Sequence, residues 1–202
     1  MNKKLIALTM AVTITTVSEP LVANASPLIQ ITAQAAQKSR ALVVSAKKIT
    51  VGDQLKPGYY RITVPKGEAT IKSNNVNVTI GAKKSSNHVT SYTMELKKGD
   101  QLTINKYVKM KFQPIKHINR AGQTDLTAGV WEVGTDLEPG NYRIAKTSNT
   151  NPGMVQVEDE ANGEIQDIPG NQGGSAVNQE IQLKKGQRIR TNFNHLRLVK
   201  AD

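Results

Sequence analysis

This sequence predicts an all-β fold, two tandem small antiparallel sandwich or barrel domains after a signal peptide, on three observations. First, one stretch occurs twice: Val51-Gly52-Asp53-Gln54-Leu55-Lys56-Pro57-Gly58-Tyr59-Tyr60-Arg61-Ile62 returns as Val133-Gly134-Thr135-Asp136-Leu137-Glu138-Pro139-Gly140-Asn141-Tyr142-Arg143-Ile144. Second, short runs after each copy alternate apolar and polar residues, as a half-buried strand does. Third, Pro, Gly and Asn punctuate those runs, and no convincing amphipathic helix interrupts them. Pro57-Gly58 and Pro139-Gly140 read as structural turns, Pro presetting φ at the first corner and Gly accepting a positive φ at the second.

In chain order, residues 1–25 read as a signal peptide. Asn2-Lys3-Lys4 supplies a positive start, Leu5 to Val17 an apolar run, and Ala23-Asn24-Ala25 a small-x-small cleavage site, so the mature chain is expected to begin near Ser26. That run is shorter than the ~20 residues a membrane span needs, and no transmembrane segment is expected in the mature chain. The absence of cysteine excludes a disulfide framework, so an exported fold must rest on its sheets and core. The expected location is secreted or extracellular, in association with a cell wall.

Residues 26–45 read as a poorly ordered leader. The first domain, residues 46–116, holds strand patterns at Lys48 to Val51, Tyr59 to Val64, Ala69 to Ser73, Val76 to Gly81, Thr90 to Leu96, Gln101 to Asn105 and Val108 to Ile115. Residues 117–127 are polar, contain Gly122 and read as a linker. The second domain, residues 128–202, repeats the plan at Val130 to Val133, Asn141 to Lys146, Met154 to Glu158, Glu164 to Ile168, Gln179 to Leu183, Arg188 to Asn192 and His195 to Lys200. The early element recurs at an offset of 82 residues and the late one, Met94 to Gly99 against Ile181 to Gly186, at 87. The extra residues are expected in the Gly- and Pro-rich hairpins around 149–153 and 170–176.

The Val-Gly-x-Asp-hydrophobic-x-Pro-Gly-x-Tyr element, followed about 35 residues later by a hydrophobic-x-x-Gly-Asp turn, resembles a loosely defined group of exported proteins from Gram-positive bacteria. Gly99-Asp100 fits the second element and Gly186-Gln187 departs from it. The resemblance implies a small β-rich extracytoplasmic domain and carries no activity or site residue with it.

Charge divides the chain. The net formal charge is +11, yet residues 46–116 carry 14 basic and 4 acidic residues, whereas 126–202 carry 8 and 10. The first copy therefore holds the positive field, which suits anionic cell-wall polymer or an envelope surface. Keeping a secreted protein soluble is the simpler reading of the same imbalance. Arg61, Lys109 and Lys111 are expected on the outward side of strands and Lys97 and Lys98 in a turn, together forming a polyanion-binding array. Arg143, Arg197, Lys184 and Lys185 are their counterparts. Sequence-specific nucleic-acid reading is not expected, because Tyr59 and Tyr107 are the only candidate exposed aromatics of the first copy. Trp131 reads as core.

No catalytic constellation is expected. His88, His117 and His195 lack metal-ligand spacing, so neither metal nor other cofactor is expected. The acidic run Glu158-Asp159-Glu160 leads into Asn162-Gly163, a two-residue hairpin signal that would set Val155 and Val157 against Ile165 and Ile168. Scattered serines lack a strand-to-helix elbow. The leading functional expectation is a non-catalytic surface protein. A protein- or glycan-binding module working through loops of the second copy near Gly153 and Gly173 is the rival, and a secreted hydrolase using Glu158, Glu160 and Asp167 a third.

Overall fold

The computed structural model describes residues 42–45, 47–73, 76–116, 125–147, 153–169 and 179–201. They are all-β and contain no helix. The first half holds β1 (Leu42–Val44), β2 (Lys48–Thr50), β3 (Gly58–Thr63), β4 (Glu68–Ser73), β5 (Val76–Gly81), β6 (Tyr92–Leu96), β7 (Gln101–Ile104) and β8 (Met110–Pro114). The second holds β9 (Asp125–Leu126), β10 (Gly129–Glu132), β11 (Gly140–Thr147), β12 (Met154–Asp159), β13 (Glu164–Pro169), β14 (Glu180–Leu183), β15 (Arg188–Thr191) and β16 (Leu196–Lys200). Alternation is the local cause. In β7, Leu102 and Ile104 are buried and Gln101 and Thr103 exposed; in β14, Ile181 and Leu183 repeat this against Glu180 and Gln182.

The strands form one eight-stranded sheet, β1-β8-β3-β6-β10-β15-β12-β13, and two four-stranded sheets, β2-β7-β4-β5 and β14-β11-β16-β9. None closes, so the sandwich-like alternative holds and the barrel does not. Within the first half the strand orders are β1-β8-β3-β6 and β2-β7-β4-β5. Those of the second, β9-β16-β11-β14 and β10-β15-β12-β13, follow the same order strand for strand. The long sheet is therefore one sheet of the first half joined to the opposite sheet of the second. The joint is a parallel contact of β6 with β10 at Thr93 and Gly129, where Thr93 N–H donates to the Ala128 carbonyl at 3.0 Å.

Register shows what this joint does to the core. Residues paired directly across strands share a face. Tyr60, Ile62, Tyr92, Met94, Met110 and Phe112 share one face, which is core. Thr93 lies on the other face with Tyr59 and Arg61, and beyond the joint that face continues through Gly129, Trp131, Ile189, Val155 and Val157. There it becomes the core face of the second half. The buried side of the long sheet thus switches at the joint, and the two small sheets cover opposite faces. The first core also takes in Ala128, with Val130 packed against it.

Each half also carries the same pair of clipped loops. Val51 bridges Leu55 and Val133 bridges Leu137. Gly52 and Gly134 close these turns by donating to Leu55 O and Leu137 O, both at 2.7 Å, with φ of 106° and 95° that favour glycine. The second loop of each half docks on the first: Gly99 N–H donates to Val51 O at 2.8 Å, and Gly186 N–H to Val133 O at 2.9 Å.

Several expectations change. The hydrogen-bonded turns lie at residues 52–54 and 134–136, whereas Gly58 and Gly140 open β3 and β11 with φ of 155° and 152°. The leader contains β1, paired with β8, and the linker contains β9, paired with β16. Both strands are too short to show a period, and distant partners define them. The β12–β13 hairpin closes at Asp159 and Glu164 around a four-residue loop rather than at Asn162-Gly163, so Val157 faces Gln166 and Val155 faces Ile168; Ile165, on the opposite face of β13 from Ile168, is 62% exposed. Residues 1–25, expected to be a signal peptide, His117, and residues 149–152 and 170–176, expected to hold the extra length, lie outside the described residues.

Candidate functional site

The five basic residues singled out in the first half do not form one cluster. Arg61 on β3 sits between Thr93 and Gln113, and Lys111 on β8 lies opposite Thr63, so both occupy the outward face of that half. Lys109, exposed, directly precedes β8. Lys97 and Lys98 follow β6; Lys97 is four residues along the chain from Arg61's partner Thr93, roughly 13 Å away at strand rise. Lys98 lays its stem over Gly52, with Cγ 3.1 Å from where a Cβ would stand. This holds its charged end above the loop pair.

These cations lack counter-charges: among the described residues none of the five pairs with a carboxylate. The second half differs: Arg197 forks onto Asp125 with two bonds of 2.9 Å, Arg190 reaches Glu158 at 2.7 Å, Lys200 reaches Glu138 at 3.3 Å, and Arg188 contacts Glu160. The Arg197 hydrogen bond holds the Asp125 carboxyl below its ordinary range. In the first half, Glu68 meets Lys106 at 3.0 Å and His88 at 3.5 Å, and is held low chiefly by its hydrogen bond from Lys106. Of the second half's described cations, Arg188, Arg190, Arg197 and Lys200 meet carboxylates whereas Arg143, Lys184 and Lys185 do not, and the first half leaves all five of its singled-out cations for solvent.

A cleft of about 210 Å³ opens beside the joint, lined from the first half by Tyr59, Met94 and Lys97 and from the second by Val130, Glu132 and Arg190, among others. Tyr59, expected to be exposed, is 7% exposed because β10 covers its face. Its ring meets Trp131 edge-on at 6.4 Å, and its hydroxyl donates to Asp136 Oδ2 at 3.4 Å and Val130 O at 3.3 Å. Burial, then the Asp136 charge, raises that hydroxyl's pKa well above the phenolic range. Arg190 Nε is buried without an acceptor among the described residues. Sequence reasoning missed both the cleft and Asp136; the Arg-x-Arg alternation of β15 opposite Glu158 was the available signal for the buried ion pair. Tyr107 is exposed as expected, and Trp131 packs against the second core while donating to Thr127 O at 2.8 Å.

The groups considered for hydrolysis are engaged elsewhere: Glu158 and Glu160 in the ion pairs above, Asp167 by Gln156 Nε2 at 2.6 Å. His195 pairs with Asp125 at 2.8 Å, and His88 meets Lys83 O at 2.7 Å. Among the described residues no group of three or more His, Asp or Glu side chains is placed to hold a metal ion. No described helix is long and apolar enough to cross a membrane. A scan against protein-family models matches none, and a search of curated proteins finds no match.

Proposed function

We propose that this chain is an exported, non-catalytic surface protein whose first half associates electrostatically with anionic envelope polymers. In this reading residues 1–25 are the signal peptide, and the two halves descend from a tandem duplication, which their shared strand order supports. The resemblance to exported Gram-positive proteins belongs to the same reading. The observation that carries it is the set of cations Arg61, Lys97, Lys98, Lys109 and Lys111, unpaired with carboxylates among the described residues, on the half that holds the positive field. A polyphosphate chain held as diffuse charge releases counterions, so its binding weakens steeply with salt.

The test is retention on purified wall polymer across a salt titration. Retention is expected to fall linearly on a log–log plot, and each neutralised contact should lower the slope by about 1. Arg61→Gln with Lys111→Gln should therefore weaken binding more than Lys184→Gln with Lys185→Gln. Retention that ignores ionic strength would end the proposal. The cleft at the joint favours a second reading, a small glycan or peptide ligand, whose binding would resist salt.

A further inference from the structure

The two sides of the joint between the halves occur a second time in this fold. In strand order β14 holds in the second half the place of β6, and β2 holds in the first half the place of β10. Among the described residues β14 and β2 end their sheets. Among the described residues no strand pairs with the outer side of either, and although Thr50 of β2 is met by its own loop, an open strand edge is a template for another strand. The joint between β6 and β10 uses different surfaces of the two halves, and such a head-to-tail contact does not close after one step.

The two edges differ from the joint in side chains. Aligning Val51 with Val133 matches Lys47 to Gly129 and Lys48 to Val130; aligning Leu96 with Leu183 matches Glu180 to Thr93. At the joint a Cβ on Gly129 would lie 2.4 Å from the Thr93 carbonyl oxygen, Thr93 is fully buried, and Val130 packs against the first core. At the free edges Lys47, Lys48 and Glu180 are exposed.

We propose that β14 and β2 form a latent head-to-tail interface for a second copy of this chain, held shut by Lys47, Lys48 and Glu180. To join as β6 and β10 do, Lys48 must enter a core rim where Val130 sits, and Glu180 must become as dry as Thr93. Burying either charge is costly. Their mutual attraction repays that cost only in very good geometry, which a β-carbon at Lys47 obstructs. With the charges removed, the two four-stranded sheets of successive copies fuse into another eight-stranded sheet, and growth is open-ended.

The experiment grafts the joint's residues onto the edges, as Lys47→Gly, Lys48→Val and Glu180→Thr, and follows purified protein by sedimentation velocity over a hundredfold concentration range. Wild type should sediment as a monomer, and the triple variant as a ladder that lengthens with concentration. Mixing the Lys47→Gly/Lys48→Val protein with the Glu180→Thr protein supplies one repaired edge of each kind, so this mixture should stop at two chains. A wild-type ladder, a triple variant that stops at a dimer, or a mixture that stays monomeric would each overturn the proposal. The mixture carries the test if the triple variant fails to fold.

Discussion

Gln54 and Asp100 hold the clipped loops of the first half; Asp136 and Gln187 hold those of the second. Gln54 Oε1 accepts from Thr50 N–H at 2.7 Å and Asp136 Oδ2 from Glu132 N–H at 2.9 Å. Asp100 Oδ2 accepts from Lys97 N–H at 2.7 Å and Gln187 Oε1 from Lys184 N–H at 2.8 Å. The amide and the carboxylate have exchanged places between the halves. These positions therefore require an oxygen acceptor for an otherwise unmet backbone donor, and the charge is free to vary. Gly186-Gln187, a departure from the sequence pattern, is no departure in structure. The halves share a backbone plan and differ in how much of their charge is paired: four cations of the second half meet carboxylates, and most of the first half's do not.

Three matched pairs of substitutions break or sharpen that comparison. The largest effect belongs to Gly129→Ala, which drives a Cβ into the Thr93 backbone at a φ of 156°. It should cost about 3 kcal/mol or more in urea unfolding, whereas the equivalent Lys47→Ala should stay within roughly 0.5 kcal/mol. A tolerated Gly129→Ala would mean that the joint is not tightly apposed. Next, Asp136→Ala removes an acceptor that serves both Glu132 N–H and the buried Tyr59 hydroxyl. A loss of about 1–3 kcal/mol is expected, with less for Gln54→Ala, whose bond is exposed; equal losses would remove Tyr59 from the account.

The smallest effect concerns pH. Asp125 is held low by Arg197 when folded, so the pair stabilises the fold above the unfolded carboxyl range near ~4 and loses that contribution as pH falls through the folded value. Arg197→Met should shift the onset of acid unfolding to higher pH, by an amount reduced in salt, and change stability at neutral pH only slightly because the pair is exposed. His195 on the same carboxylate preserves part of the effect. Lys111→Met, at the matching position, should leave the acid limb unchanged.

Alternation made most strands legible, because Leu102 and Ile104 or Ile181 and Leu183 face a core whatever that core is. The burial of Tyr59 was not legible. It sits on the outward side of β3, and only the arrival of β10 from 70 residues away converts that side into an interior. Ile165 fails for a simpler reason. Ile165 and Ile168 are three residues apart and lie on opposite faces of β13, so only one can meet the core: Ile168 pairs with Val155, and Ile165 stands opposite Glu158 on the outward side. The cations were placed on the correct surface, but spacing along the chain cannot tell that Lys97 and Lys111 stand toward opposite ends of the sheet.

Ala128 belongs to the first core, although it lies beyond the linker in the chain. Synthesis proceeds from the amino terminus, so the earlier half cannot finish packing when its own last strand has emerged. It must wait until the opening residues of the later half arrive to cover Thr93. The halves thus do not mature as independent beads on a string: the lysine-rich portion is made first and completed only with help from the opening residues of its successor.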